Sequence, residues 1–221
     1  MKTTSIIAVL TLIALTSAAD AAVTVQSGWN SEAVNYGGLR LRNLRLSGNG
    51  GEVYLGEDPG GTTKVENEFG YGDQWGFDDQ EVNTFELSYA VNTHTLSSKV
   101  TTASGDPLEW TLNYAIDPAE PLNYIQMTLS AKTSGTSLSV TNLTFNSEDL
   151  GDYLNVSGYN DWSLYGDFNQ DFTLTGDLTL YGASSNAENN KVQFMVGNVP
   201  EPATLSLLAL GGLALIRRKR K

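Results

Sequence analysis

Apolar and polar residues alternate along most of this chain, most clearly between residues 108 and 116. Every second residue there is apolar: Leu108, Trp110, Leu112, Tyr114 and Ile116. A period of two places these side chains on one face of a β-strand. About ten short stretches of this kind recur with turn residues between them, and neither a long helical stripe nor a strand–helix alternation competes with them. The pattern predicts an all-β fold, an antiparallel two-sheet sandwich that is jelly-roll-like.

Composition limits the size of this sandwich and its chemistry. The 221 residues, 40% of them hydrophobic, suffice for one folded body with a core. The chain has no cysteine and one histidine, which excludes disulfides, thiol catalysis and zinc sites built from Cys and His. Its formal net charge of −12 repels a phosphate backbone, so no nucleic-acid partner is expected.

The first 21 residues have the features of a secretory signal peptide. Lys2 precedes an apolar stretch from Ile6 to Leu15, and small residues follow it up to Ala19-Asp20-Ala21. A basic start, an apolar middle and an A-x-A site are the three parts of such a signal. We therefore expect a signal helix over 1–21 that is cleaved after Ala21, so that the sandwich domain comprises residues 22–198.

The last 23 residues form a second segment of three parts. Pro200-Glu201-Pro202 precedes an apolar run from Ala203 to Ile216, and a basic stop closes the chain: Arg217, Arg218, Lys219, Arg220 and Lys221. Fourteen helical residues measure about 21 Å, short of the roughly 30 Å hydrocarbon core, so this predicted transmembrane helix is a poor permanent anchor. The cations favour a cytoplasmic end. The prolines leave an extended, accessible stretch, suited to a protease.

The sequence VPEPATLSLLALGGLALIRRKRK resembles the PEP-CTERM sorting signal of exported proteins in Gram-negative bacteria. The resemblance implies that residues 199–221 are read in the inner membrane by an exosortase, a membrane protease that cuts near Pro200-Glu201-Pro202. The body would then be released, or attached to the cell surface or extracellular matrix. The order of strands in the body also resembles the extracellular sandwich domains grouped under the choice-of-anchor label, which supplies a fold and no catalytic residues.

Two groups of aromatic residues in predicted polar loops are candidates for binding polysaccharide. The candidate glycan-binding residues are Tyr71, Trp75, Tyr159 and Trp162. Flat rings can stack on sugar faces while neighbouring polar groups bond the hydroxyls. The preferred interpretation is that Trp75 and Trp162 fill the ends of the core, as large aromatics usually do, and glycan binding is the alternative. Trp29 and Trp110 are predicted to be core residues.

Oxygen-bearing side chains at alternate positions suggest a cation site. Asp167, Asn169 and Asp171 project to one side if the segment is extended, and Ca²⁺ prefers several such oxygens. The segment is similar to the start of a dockerin or EF-hand loop, D-x-N-x-D, but Phe172 replaces the turn glycine and strand-like residues follow. A polar loop feeding a hairpin is the preferred interpretation, so we expect no cofactor and keep Ca²⁺ as the alternative.

No catalytic constellation is predicted. His94, the single imidazole, lies in a predicted hairpin turn, and no G-x-S-x-G elbow is present. Residues 22–198 hold seven basic and 23 acidic side chains, a formal charge of −16. The acidic residues are expected to keep the surface soluble and to protect strand edges. The sequence therefore predicts an exported, non-enzymatic protein of the cell surface or matrix; the alternative is a carbohydrate-binding module, with or without calcium.

Overall fold

The computed structural model describes residues 22–44, 50–57, 82–101, 109–132, 134–181 and 190–200. All twelve regular elements in these ranges are β-strands. They are β1 (Thr24–Ser27), β2 (Val34–Leu44), β3 (Gly50–Gly56), β4 (Asn83–Ala90), β5 (Thr95–Thr101), β6 (Glu109–Ala115), β7 (Tyr124–Ala131), β8 (Ser137–Phe145), β9 (Glu148–Asn155), β10 (Gly158–Tyr165), β11 (Phe172–Tyr181) and β12 (Asn190–Asn198). The all-β prediction is confirmed for this part of the chain. The predicted signal helix and C-terminal helix lie outside it.

The strands form two antiparallel sheets of six. The first sheet has the order β1-β10-β7-β12-β2-β3, and the second has the order β6-β5-β4-β11-β8-β9. Eight strands pair as β2–β12, β4–β11, β7–β10 and β8–β9, and successive pairs alternate between the two sheets. A long antiparallel ribbon folded over itself in this way is the jelly-roll arrangement. The other four strands extend the edges of the sheets.

Alternate residues of the two sheets meet in one core. In β4, Asn83, Phe85, Leu87 and Tyr89 are buried and the residues between them are not. This is the period-two burial that the sequence predicts for a sheet with one covered face. Phe85 of the second sheet stacks on Phe194 of the first with ring centroids 4.8 Å apart, so the core lies between the sheets.

The break in alternation within β8 is a β-bulge. Apolar residues change phase between Val140 and Leu143, and the pairing with β11 shifts register at the same place. Asn142 sits there with φ of 52°, a left-handed conformation that asparagine tolerates better than most residues. Its backbone N–H donates to Asp152 at 2.8 Å, and its side-chain amide donates to Asp177 at 2.7 Å. These two carboxylates hold the bulge in place.

Two predictions from the sequence differ from the structure. The Thr175-Gly176-Asp177 sequence predicts a turn between two strands, because glycine between polar residues is typical of turns, but these residues lie inside the continuous strand β11. An added Cβ at Gly176 would lie 3.0 Å from the ring of buried Phe85, so a larger residue would need that ring to shift. Trp29, predicted to be a core residue, is 62% exposed. The side chain of Trp110 lies outside the described residues.

Candidate functional site

The chain enters and leaves the body at the same end of the first sheet. Thr24 of β1 pairs with Tyr165, Tyr165 pairs with Tyr124, and Tyr124 pairs with Gly197 of β12. Neighbouring strands are about 4.8 Å apart, so these three steps place Thr24 within about 14 Å of Gly197. The segments that precede β1 and follow β12 therefore start from one end of the sandwich.

A side-chain amide fixes the last residue before the predicted sorting motif. Asn123 donates from Nδ2 to the Val199 carbonyl at 3.0 Å, and its Oδ1 accepts from the Val199 N–H at 2.7 Å. Asn123 thus pairs with Val199 as a strand neighbour would. Next comes Pro200, which has no N–H to donate and cannot extend such pairing. Among the described residues, Val199 is thus the last before Pro200 that these side-chain hydrogen bonds hold.

Replacing Asn123 with alanine should loosen this end of the body. The Val199 N–H and C=O would lose their partners, and the free energy of unfolding should fall by about 1–2 kcal/mol. Hydrogen exchange should show the Val199 amide exchanging at least tenfold faster, while Asn113→Ala, at an exposed asparagine of β6, should leave it unchanged. Equal protection of the Val199 amide in both variants would show that the two Asn123 hydrogen bonds do not hold Val199.

Other predicted sorting residues lie outside the described part of the chain. These are the signal-cleavage residues Ala19 and Ala21, the motif residues Glu201 and Pro202, and the basic stop Arg217, Arg218, Lys219, Arg220 and Lys221. Among the described residues, no helix is long and apolar enough to cross a bilayer.

Comparison with known families identifies the C-terminal segment. The body defines an all-β sandwich protein, and its β12 leads directly into a tail of proline, apolar and basic parts. Residues 198–221 match the family described as the PEP-CTERM protein-sorting motif, so the prediction of a PEP-CTERM protein is confirmed. The motif implies an exported protein with an exosortase as processing partner and a cell-surface or extracellular location after processing. No curated protein matches the chain significantly.

The two described candidate glycan-binding residues do not form one surface. The sequence predicts a polar loop for Tyr159 and Trp162, but they lie in β10, three positions apart and therefore on opposite faces. Trp162 faces inward, with its ring edge-on to Tyr153 at a centroid distance of 5.0 Å. Tyr159 is 44% exposed, and the Lys132 ammonium lies 3.7 Å from its ring centroid. Tyr71 and Trp75 lie outside the described residues.

The predicted cation ligands have partners within the chain. Asp167 Oδ1 accepts from both the backbone N–H and the side-chain amide of Asn169, forming an Asx turn. Asp171 Oδ1 accepts from the Val91 N–H at 2.8 Å and so holds the turn between β4 and β5. In the described ranges no three His, Cys, Asp or Glu side chains are grouped as metal ligands. The calcium alternative stays a prediction.

His94 lies in the turn between β4 and β5, as predicted. Its φ is 50°, its N–H donates to Val91, and its carbonyl accepts from Ile116. The ring lies 6.5 Å from that of Tyr89. The backbone of His94 therefore has a clear structural role, closing the hairpin and linking it to the chain after β6.

A polar cleft with an exposed tryptophan lies beside β1 and β10, and the sequence pattern does not predict it. The cleft measures about 270 Å³ and is formed by the loop 28–32 together with Gln26, Ser163 and Tyr165. Trp29 in this loop is 62% exposed. A single tryptophan between Gly28 and Asn30 has no periodic neighbours, so only its polar Gly, Asn and Ser surroundings could have indicated a surface position.

A chain of hydrogen bonds holds the loop that carries Trp29. The Asn30 N–H donates to the Tyr124 hydroxyl at 3.3 Å, which lies 3.1 Å from Ser163 Oγ. Ser163 Oγ donates to the Gly28 carbonyl at 2.7 Å, so the proton between the two hydroxyls belongs to Tyr124. Both residues that flank Trp29 are therefore fixed to buried side chains of β7 and β10.

Burial of three tyrosine hydroxyls, one of them in this network, predicts a loss of stability at alkaline pH. Burial raises the pKa of Tyr124, outweighing the Ser163 hydrogen bond that lowers it, and burial also raises the pKa of Tyr89 and Tyr153. Because the unfolded chain releases these protons first, their contribution is complete below about pH 10 and is lost as pH rises through the folded pKa. Urea unfolding between pH 8 and pH 11.5 should show stability falling above about pH 10.

The variant Tyr124→Phe separates this effect from general alkaline denaturation. It should be less stable than the natural chain at pH 8, because the hydroxyl relay is broken, but its stability should fall less steeply above pH 10. Parallel curves for the two proteins would show that Tyr124 does not contribute to the slope.

Proposed function

We propose that this protein is a non-enzymatic component of the cell surface or extracellular matrix, delivered there by its sorting tail. The observation that carries the proposal is the PEP-CTERM motif at 198–221, directly after the last strand of an all-β body. In this proposal residues 1–21 are a signal peptide, residues 22–198 are the working domain, and residues 199–221 are the sorting signal, which is cut near Pro200-Glu201-Pro202. The choice-of-anchor resemblance is consistent with this division and stays a prediction.

The position of the two ends supports such a route. Because β1 begins and β12 finishes at the same end of the first sheet, both hydrophobic segments of the precursor can lie in one membrane without stretching the body. The basic stop would remain cytoplasmic while the body crosses. An exosortase could then cut after Val199, which Asn123 holds, and leave every described strand intact.

The use of carboxylates in the body supports a non-enzymatic role. Asp161 accepts from Thr128 at 2.5 Å and from Gln126 at 3.3 Å on the outer face of the first sheet. Asp152 and Asp177 both hold the Asn142 bulge. Each of these acids has a structural partner, whereas a glycosidase needs two carboxyl groups held about 5–10 Å apart across a sugar.

Cell fractionation tests the destination. A Gram-negative host with an exosortase should place the protein in the outer-surface or medium fraction, and a host without one should retain it at the inner membrane. Equal distributions in the two hosts would contradict the proposal. The purified protein should release no reducing ends from matrix polysaccharides; sustained release would show that it is an enzyme.

The second candidate function is carbohydrate binding by the body. The observation that favours it is the exposed ring of Trp29 at the edge of a polar cleft. The predicted pair Tyr159 and Trp162 does not support it, because the two rings lie on opposite faces of β10.

A further inference from the structure

We propose that the cleft beside Trp29 is a binding site for a neutral saccharide. In this site one sugar ring stacks on the exposed face of the indole, and polar groups of the cleft bond its hydroxyls. The proposal deepens the carbohydrate-binding candidate and rests on it, but it does not depend on how the tail is processed.

The exposure of Trp29 is the first argument. Tryptophan is on average among the most buried residues, and an exposed indole leaves a large apolar face in water. Trp29 is 62% exposed and makes no ring contact with another described aromatic residue. A ligand with a flat apolar face would cover this surface, and the C–H face of a pyranose has that character.

The second argument is that the loop carrying Trp29 is already held in place without a ligand. The Gly28 carbonyl accepts from Ser163, and the Gly28 N–H donates to the Asp161 carbonyl at 2.8 Å. Asn30 is held by Tyr124 through its backbone and by Tyr165 through its amide, at 3.1 Å. Since the backbone on both sides of Trp29 is already ordered, binding loses little conformational entropy there.

The third argument is the polar complement of the cleft. The side chains of Gln26, Ser31 and Glu32 are exposed and make no hydrogen bond to any described residue. The Tyr165 hydroxyl accepts from Asn30, which leaves its own O–H to donate. Acceptors and donors together match sugar hydroxyls, each of which can both donate and accept.

Charge selects a neutral ligand over an acidic one. Glu32 is the only charged side chain among the described residues that line the cleft, and the body as a whole is strongly acidic. Arg42 and Lys132, which lie elsewhere on the first sheet, pack over the rings of Tyr54 and Tyr159. A uronic-acid or sulfated polymer would meet repulsion at Glu32 with no described cation in the cleft to offset it.

The test is a titration of the full chain, purified in a detergent without a sugar head group. The probes are hexasaccharides of β-1,4-glucose, β-1,4-mannose and α-1,6-glucose, with oligogalacturonate as the charged comparison. We expect at least one neutral probe to bind with a dissociation constant of about 1 mM or tighter, the range of weak specific sites. Trp29→Ala should weaken that binding about tenfold or more, because a central aromatic anchor is removed.

Matched variants make the result specific. Tyr181→Ala removes a comparably exposed ring, 41% accessible at the end of β11, and should change the dissociation constant less than twofold. Tyr165→Phe keeps the ring and removes the hydroxyl, so it should weaken binding several-fold even if Trp29→Ala fails to fold. Thermal unfolding of Trp29→Ala should match the natural chain, because the ring is mostly exposed.

Three results would overturn the site. These are no binding of any neutral probe at 10 mM, equal binding by the natural chain and both cleft variants, and binding of oligogalacturonate alone. Correct processing of the tail together with any of these results would show that the saccharide site is wrong while the sorting proposal stands.

Discussion

Replacing Phe194 with alanine is expected to lower the free energy of unfolding by about 3–5 kcal/mol, a large part of the 5–15 kcal/mol typical of a domain. Phe194 is fully buried in β12, and its ring stacks on Phe85 of the opposite sheet at 4.8 Å with an interplanar angle of 30°. The variant loses the transfer free energy of the ring and leaves a cavity between the sheets. Urea unfolding at neutral pH measures the difference.

The control for this variant is Val34→Ala. Val34 lies in β2 and is 47% exposed, so its truncation should change stability by less than about 0.5 kcal/mol. If Phe194→Ala lost under about 1 kcal/mol, the ring would not lie in a packed core and the sandwich arrangement would be wrong.

The double variant Glu201→Ala, Pro202→Ala is expected to abolish processing. The prolines of the Pro-Glu-Pro sequence disfavour helix after the fixed Val199, whereas alanines at these positions favour helix and remove the motif. The precursor should therefore accumulate in the inner membrane with its tail attached. Immunoblots of the membrane and medium fractions measure this redistribution.

Ser206→Ala serves as the matched change in the apolar run, outside the motif, and should be processed like the natural chain. Release of the double variant into the medium at the natural rate would contradict recognition of the Pro-Glu-Pro residues. Failure of both variants would indicate that the whole apolar run, rather than the motif, is being read.

The sequence predicts the strands best where one face of the strand is buried and the other is exposed to solvent. β4 alternates cleanly in sequence and in burial, and the phase slip between Val140 and Leu143 corresponds to the Asn142 bulge. The C-terminal sorting signal is predicted equally well, because it is defined by the composition and order of its three parts along the chain and not by tertiary contacts. In both cases the local sequence pattern is itself what determines the structure or the signal.

The sequence predicts the structure wrongly where contacts between distant residues determine it. β10 resembles a polar loop because Asn160, Asp161 and Ser163 interrupt its apolar residues, yet Asp161 and Ser163 are satisfied by side chains on β7 and by the loop 28–32. Gly176 is typical of a turn in the local sequence. The ring that occupies the space beside it belongs to Phe85, on a strand distant in sequence. The Trp29 cleft depends on contacts to residues more than 90 positions away, which no local pattern contains.

The most direct test of the sorting account is the intact mass of the protein recovered from the cell surface and the medium. We predict a molecule that starts near Ala22 and ends near the Pro200-Glu201-Pro202 motif, with any added glycan or lipid visible as extra mass. Mature molecules that still carry Arg217 to Lys221 would contradict it, because the tail would then be a permanent part of the protein.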